Sequence, residues 1–228
     1  MKADKQIKVL IADDHMIVRE GLSKLLEAER DIEVVGEAAT GHKAVEMARK
    51  LRPDVIVMDI AMPQMNGMEA TRQIHKCAPN VKILILSAHS DDAYVESVTA
   101  LGASGYLIKQ TSAQFLSEAI RQVQKGNAFF SPVIARRRDR RQQGSLSRKG
   151  LPKANANALS SRETEVLQRV AEGDANKQIA CDLGISIKTV EKHRDHLMHK
   201  LDIHDTAGLT RFAIEAGIIE CHVALTIV

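Results

Sequence analysis

The sequence predicts a two-domain protein in which a doubly wound α/β domain with a parallel sheet precedes a small all-α domain. This prediction rests on three observations. Over residues 1–127, short apolar segments alternate with segments of helical periodicity. A basic segment follows at residues 128–158, and residues 159–228 show only helical signals. A chain of 228 residues is long enough for two domains of ordinary size.

The composition excludes several classes of protein. With 44% hydrophobic and 27% charged residues and a net charge of +3, the chain is typical of soluble globular proteins. Its apolar runs are far shorter than the roughly 18 residues of a membrane span, and residues 1–6 are polar, so we expect a cytoplasmic protein without a membrane partner. The widely spaced Cys77, Cys181 and Cys221 predict free, buried thiols. An aromatic content of 3% argues against base stacking with single-stranded nucleic acid.

Five short apolar, β-branched segments predict the strands of the first domain, at residues 8–12, 33–36, 55–58, 83–86 and 105–108. Helical spacing between them gives a (βα)5 pattern. Because these segments are apolar on both sides of the pleat, the strands are expected to be buried on both faces of a parallel sheet. Ligands of such folds bind beyond the carboxyl ends of the strands.

Polar side chains follow four of these five predicted strands: Asp13 and Asp14, Asp59, Ser87, and Lys109. One aspartate at a strand end usually caps a helix, but five polar residues at four strand ends are better explained by a shared site. Three adjacent carboxylates repel one another unless a cation joins them, and oxygen ligands suit Mg²⁺, which completes its shell with phosphate oxygens. The sequence therefore predicts a Mg²⁺ and phosphoryl site, with a lysine charge and a serine hydroxyl beside it.

Four strings carry a family resemblance: VLIADDH, DVIVMDIAMPQMNG, ILILSAH and GASGYLIK. In this order and spacing, residues 5–127 resemble the receiver domain of bacterial two-component response regulators, whose fold is flavodoxin-like (CheY-like). The resemblance implies that Asp59 accepts a phosphoryl group from a sensor histidine kinase. It also implies that Asp13, Asp14, Asp59 and the carbonyl oxygen of Ala61 hold Mg²⁺.

The same resemblance assigns roles to three further residues of this domain. Lys109 is expected to pair with the phosphate, and Ser87 to bond one of its oxygens. Tyr106 is expected to follow Ser87 inward as an aromatic switch. One departure is Gln110, which stands where receivers often have proline, and it leaves the loop geometry after Lys109 open.

The positive charge of the chain is concentrated in its middle. Residues 1–127 contain 16 basic and 17 acidic residues, residues 128–158 contain 8 and 1, and residues 159–228 contain 8 and 11. The middle segment continues with Gly, Ser, Pro and Asn, which is typical of a solvated linker. We therefore predict a flexible basic linker at 128–158, containing Arg136, Arg137, Arg138, Arg140 and Arg141. These arginines either contact the phosphates of a polyanionic partner or only keep the linker extended.

Helix signals define the last domain. Ser160 and Glu163 form an S-x-x-E capping box that begins a helix ending near Gly173. A second helix is predicted at about 176–183, a third at 187–201 after a cap by Ser186, and a fourth at about 206–216. Two helices joined by a turn that contains Gly184 predict a helix-turn-helix with the third helix as the recognition helix.

The predicted recognition helix has two distinct faces. The apolar face carries Ile187, Val190, Leu197 and Leu201. The opposite face is expected to be exposed and carries Lys188, Lys192, Asp195, His196 and His199, with Glu191 on its flank. On pattern alone, such a face is also compatible with an ordinary solvated helix surface.

A second resemblance rests on LSSRETEVLQRVAEGDANKQIACDLGISIKTVEKHRDHLMHKL. Residues 159–217 are similar to the LuxR-type DNA-binding domain, and together with a receiver this makes a NarL/FixJ-type transcription factor. The resemblance implies a homodimer whose third helices enter the major groove of double-stranded DNA and whose fourth helices form the dimer contact. The residues that match the family's DNA contacts are Lys188, Thr189, Glu191, Lys192, His193 and Asp195. The acids Glu191 and Asp195 depart from the basic residues common there.

The sequence thus predicts a regulator, not an enzyme, in which phosphorylation controls dimerisation and DNA binding; RNA polymerase is a further candidate partner. Two alternatives stay open. The protein could act unphosphorylated, through protein contacts alone. A phosphohydrolase with an aspartate nucleophile would need a second acid two residues after Asp59, where this chain has Ala61.

Overall fold

A computed structural model describes residues 6–88, 92–143 and 159–219. The chain forms two compact units, residues 1–148 and residues 149–228. Within the described part, every helix is too short or too polar to cross a membrane.

The first unit is built on a fully parallel six-stranded sheet with the order β2-β1-β3-β4-β5-β6. Its strands are β1 (Ile7–Ala12), β2 (Ile32–Ala38), β3 (Val55–Asp59), β4 (Lys82–Ser87), β5 (Gly105–Ile108) and β6 (Phe129–Phe130). The five predicted strands are confirmed. The carboxyl ends of β1, β3, β4 and β5 meet at one edge of the sheet.

Helices cover both faces of this sheet: α1 (Met16–Glu27), α2 (Gly41–Leu51), α3 (Gly67–Cys77), α4 (Asp92–Ala100), α5 (Ser112–Gln124) and α6 (Pro132–Gln143). Strand residues alternate between two buried clusters, as the pleat requires. Val9 and Ile11 pack with α1 and α5, whereas Leu10 and Ala12 pack with α2, α3 and α4. The predicted doubly wound fold is therefore confirmed.

The flexible linker predicted from residue 128 is wrong over residues 129–143. Phe129 and Phe130 pair with Gly105 and Tyr106 at the edge of β5, and α6 follows directly. A two-residue strand is too short to show periodicity in a sequence. The helix was missed because its five arginines dominate the local composition, whereas its apolar contact with the core is made by the buried Ile134. Pairing with β6 also covers an edge strand that would otherwise expose free backbone groups.

The second unit consists of four helices around one apolar core: α7 (Ser161–Ala171), α8 (Asn176–Asp182), α9 (Ile187–Leu201) and α10 (Thr206–Glu215). The predicted capping box is confirmed, because Ser160 accepts from the Glu163 backbone N–H and Glu163 accepts from the Ser160 backbone N–H. Ser186 caps α9 as predicted. All four predicted helices are present, with ends that differ by a residue or two.

Two details of the sequence analysis need correction. Ile187 was expected on the buried face of α9, but it is the first residue of the helix and stands exposed beyond the edge of the core. Cys77 and Cys181 are free as predicted, yet both are exposed, because each lies near the outer end of its helix. Cys221 lies outside the described residues.

Candidate functional site

The sheet brings the predicted strand-end residues of the first unit to one edge. Asp59 and Ser87 are the last residues of β3 and β4, and both are buried. Asp13 and Asp14 follow β1 directly, and Lys109 follows β5 at the start of a short 3₁₀ turn. Each position results from the alternation of strands and right-handed crossovers, which puts the ends of all parallel strands on the same side.

Lys109 links two of the carboxylates. Its Nζ lies 2.8 Å from Asp59 Oδ2 and 2.8 Å from Asp13 Oδ2. The Asp13 and Asp59 side chains are almost completely buried, whereas that of Lys109 remains partly exposed. One ammonium group therefore offsets part of the charge of two acids at the floor of the site.

The electrostatics of the site follow from burial. Burial raises the pKa of Asp59 to about 6; the charge of Lys109 opposes this rise and the neighbouring Asp13 adds to it. Burial acts to lower the pKa of Lys109, but attraction to Asp59 and Asp13 outweighs it and the net pKa is raised. Lys109 therefore stays charged at neutral pH, while Asp59 is a carboxylate that a second cation would stabilise further.

The donor groups present suit a hard divalent cation. Oxygen atoms of Asp13, Asp14 and Asp59 lie within 4.8 Å of one another, together with a ring nitrogen of His15. Three neighbouring carboxylates fit Mg²⁺, which keeps part of its shell for water and phosphate. His15 Nδ1 lies 2.8 Å from Asp14 Oδ1, and about half of the His15 side chain is exposed.

The sequence analysis missed two residues that shape this site. Arg19 of α1 donates from Nη1 to the carbonyl oxygens of Asp13 (2.8 Å) and Asp14 (3.2 Å). Gly67 begins α3 so close to β3 that a Cβ there would lie 1.9 Å from the Asp59 carbonyl oxygen. The Asn66–Gly67 pair was the sequence signal that could have identified Gly67. Asparagine is a common helix cap, as Asn66 is for α3, and the glycine directly after it marks a position without room for a side chain.

The remaining predicted residues of the receiver site are placed as follows. Ala61 lies in the loop between β3 and α3, two residues beyond Asp59. Tyr106 lies in β5 and is fully buried, paired in register with Ile85 on one side and Phe130 on the other. The Tyr106 side chain therefore lies in the interior of the first unit.

In the second unit, α9 presents a polar surface. Lys188, Glu191, Lys192 and Asp195 are exposed, as are His196 and His199. Two of the predicted contact residues, Thr189 and His193, are less exposed than these. Thr189 is half-buried and its Oγ1 lies 2.8 Å from Ser186 Oγ, within the helix cap. His193 is also half-buried, and burial together with the nearby Arg162 lowers its pKa.

Charged side chains fix α9 against its neighbours. Lys200 Nζ donates to Glu163 Oε2 (2.7 Å), which joins the end of α9 to the capping box of α7. Arg194 Nη1 donates to Asn176 Oδ1 (2.7 Å) at the start of α8. These two contacts, together with the apolar core, hold α9 in place within the second unit.

Comparison with known proteins agrees with both units. Residues 9–121 match the response regulator receiver domain, and residues 157–213 match the bacterial regulatory proteins of the luxR family. A doubly wound domain with an acidic site at its strand ends, followed by a helix-turn-helix domain of this kind, defines the class of response regulators that regulate transcription.

Relatives along the whole chain identify the family within that class. DegU of Brevibacillus brevis is 37% identical over 225 residues, covering 94% of this chain and 95% of DegU. VraR of Staphylococcus aureus is 38% identical over 215 residues, covering 94% and 99%. A structure of two RcsB dimers bound to two parallel DNAs is 28% identical, covers 93% of this chain and 99% of that chain, and has a TM-score of 0.57. The chain belongs to the NarL/FixJ family of two-component response regulators.

Proposed function

We propose that this transcription regulator is controlled by phosphorylation of Asp59, with a sensor histidine kinase as the phosphodonor. The observation that carries the proposal is Lys109 Nζ, 2.8 Å from both Asp59 Oδ2 and Asp13 Oδ2 at the carboxyl edge of the sheet. A buried carboxylate beside a fixed cation and two further acids can accept a phosphoryl group without leaving its negative charge uncompensated.

The transfer forms one bond and breaks one. A carboxylate oxygen of Asp59 attacks phosphorus, the P–N bond to the kinase histidine breaks, and the imidazole leaves with the electron pair and takes up a proton. Asp13, Asp14, Asp59 and the Ala61 carbonyl would hold Mg²⁺, which neutralises phosphoryl oxygens during transfer when bound. Lys109 supplies a second positive charge to the phosphoryl group, and the Ser87 hydroxyl donates to one of its oxygens. Tyr106 is the residue proposed to sense that bond.

Labelling with acetyl phosphate and Mg²⁺ tests this proposal. We expect one phosphoryl group per chain, located on Asp59 by mass spectrometry, and none in Asp59→Asn. Label that persisted elsewhere in Asp59→Asn would refute the assignment. Continuous release of phosphate at many turnovers per minute would favour a phosphohydrolase, and no label at all would favour a regulator that acts unphosphorylated.

The proposed output is DNA binding by a dimer in the cytoplasm. The exposed face of α9 supports contact with the major groove, through Lys188, Glu191, Lys192 and Asp195 together with the half-buried Thr189 and His193. We propose that phosphorylation favours a homodimer joined through α10, which then binds paired half-sites in double-stranded DNA and presents a surface to RNA polymerase. The likeness to RcsB, which forms dimers on DNA, supports this arrangement.

Sedimentation with and without acetyl phosphate tests the dimer. We expect the phosphorylated chain to shift from monomer to dimer and to bind a two-half-site DNA more tightly, because two recognition helices then bind together. If DNA affinity rose with no change of association state, dimerisation would be rejected as the route.

A further inference from the structure

The segment after the receiver match is attached to β5, the strand that directly precedes Lys109. The match to the receiver model ends at residue 121, and β6, Ser131 and α6 lie beyond it. β6 pairs in parallel with the free side of β5. Ser131 follows β6 and is fully buried.

Ser131 makes two hydrogen bonds to β5. Its backbone N–H donates to the Tyr106 carbonyl oxygen (2.9 Å), and its Oγ accepts from the Ile108 backbone N–H (2.9 Å). These bonds hold the strand on both sides of Leu107, directly before Lys109. The buried Ser131 side chain is thus hydrogen-bonded to the backbone of Ile108, and the next residue is Lys109, whose ammonium group contacts Asp59.

The helix after Ser131 is anchored to the same part of the receiver. Ile134 is fully buried and belongs to one apolar cluster with Tyr106, Ile108 and Val95 of α4. Arg137 Nη1 lies 3.7 Å from Asp92 Oδ1 at the start of α4. Docking of β6 and α6 therefore depends on the positions of both β5 and α4.

Resting on the proposed function, we propose that Ser131 is a positioning residue that holds Lys109 in the unphosphorylated arrangement and couples phosphorylation to the docking of β6 and α6. When one oxygen of Asp59 is bonded to phosphorus as an acyl phosphate, Lys109 exchanges its contact with Asp59 for a phosphoryl oxygen farther from the strand end. The Ile108–Lys109 peptide moves with it, and this movement weakens the bond to Ser131 Oγ. The basic helix α6 is thereby loosened from the receiver.

Hydrogen–deuterium exchange of the full chain tests the coupling, with Mg²⁺ and beryllium fluoride as the probe because the BeF₃⁻ group bound to aspartate mimics a phosphoryl group. We expect the amides of Ile108, Ser131 and Ala135 to exchange at least threefold faster with the probe than with Mg²⁺ alone, the scale of one buried hydrogen bond. Asp59→Asn, which cannot take the probe, should show no such change.

The affinity for beryllium fluoride is a second readout, which would not change if Ser131 had only a structural role. Because coupling is reciprocal, Ser131→Ala should bind beryllium fluoride about threefold more tightly than the wild type, and its β6–α6 amides should exchange fast with or without the probe. Ile134→Ala, which undocks α6 but keeps the Ser131 hydroxyl, should shift both readouts in the same direction. The matched control Val133→Ala removes a neighbouring side chain that is 48% exposed and should behave as the wild type.

The outcomes separate the coupling from the proposed function. Probe binding with unchanged or slower exchange in β6 and α6 would overturn the coupling alone. Equal probe affinity in Ser131→Ala, Ile134→Ala and the wild type would also overturn it. Failure of the wild type to bind the probe or to take a phosphoryl label would overturn the proposed function, and the coupling with it.

Discussion

Asp59 is buried, yet the proposed attack on phosphorus requires its carboxyl group to be ionised. Its folded-state pKa of about 6 lies above the ordinary value of 3.8, so the folded protein binds this proton more tightly than the unfolded chain does. The contribution of Asp59 to the free energy of unfolding is therefore greatest below about pH 4. It is lost as the pH rises through 6, a change of about 3 kcal/mol at most.

We expect Asp59→Asn to gain stability relative to the wild type as the pH rises from 4 to 7 without Mg²⁺, because asparagine cannot ionise. Urea unfolding at several pH values measures this difference. Added Mg²⁺ should stabilise the wild type more than the variant. Parallel stability curves for the two proteins would contradict the assigned pKa.

Arg19 acts on the proposed metal site through the backbone. Arg19→Gln removes the donor to the carbonyl oxygens of Asp13 and Asp14, and the loop that carries both acids becomes freer. We expect Mg²⁺ affinity to fall about tenfold, as for other residues that orient metal ligands. Titration calorimetry measures this loss, with Arg30→Gln, an exposed arginine after α1, as the control. Equal affinities in the two variants would contradict the role of Arg19.

The sequence was informative for residues whose side chains do the chemistry. Asp13, Asp59 and Lys109 were found because a polar residue at the end of an apolar strand stands out, and parallel strands bring their ends together. Arg19 and Ser131 were missed because they act on backbone groups of residues elsewhere in the chain. Such contacts depend on three-dimensional proximity and leave no periodic signal in a sequence.

At the scale of the elements, the close approach of β3 and α3 leaves no room for a side chain at Gly67. Gly67→Ala would place a methyl group 1.9 Å from the Asp59 carbonyl oxygen, so β3 and α3 must separate. We expect a loss of about 2–3 kcal/mol in the free energy of unfolding and slower labelling of Asp59. Gly21→Ala in α1 is a matched control, since an added Cβ meets no atom within 4 Å among the described residues beyond its chain neighbours and its own helix backbone, and it should stabilise by about 0.5–1 kcal/mol. Equal stability of the two variants would contradict the close approach of α3.

Elements with strong local signals were predicted nearly to the residue. Caps at Ser160 and Ser186 begin α7 and α9, and β5 is a buried apolar run. The segment from Phe129 was misread because its structure depends on tertiary contacts: β6 pairs with β5, and α6 packs through the buried Ile134 and lies near α4 through Arg137. Tertiary contact, not propensity, determines such elements.

For the whole molecule, the charge distribution poses a problem for DNA binding. Residues 159–228 contain 8 basic and 11 acidic residues, a net charge of −3 on the unit that must approach a polyanion. Residues 128–158 contain 8 basic and 1 acidic residue, a net charge of +7. Since many of these charges lie on α6, release of that helix after phosphorylation would add basic surface for DNA when the regulator is active.

The salt dependence of DNA binding tests this contribution. The variant with glutamine at Arg136, Arg138, Arg140 and Arg141 retains Arg137, which lies near Asp92, and so leaves the docking contact intact. The side chains of Arg138, Arg140 and Arg141 lie outside the described residues. Each phosphate contact contributes about −0.9 to the slope of log K against log salt, so the slope should flatten by up to about 3.6.

The affinities of this variant for specific and for nonspecific DNA should fall by similar factors, because phosphate contacts carry no sequence information. Lys192→Ala, on the exposed face of α9, should instead change the preferred sequence. Fluorescence anisotropy of the phosphorylated proteins over a series of KCl concentrations measures both effects. An unchanged slope in the glutamine variant would reject the phosphate contacts and assign the electrostatic attraction to the few lysines and arginines of the helix-turn-helix.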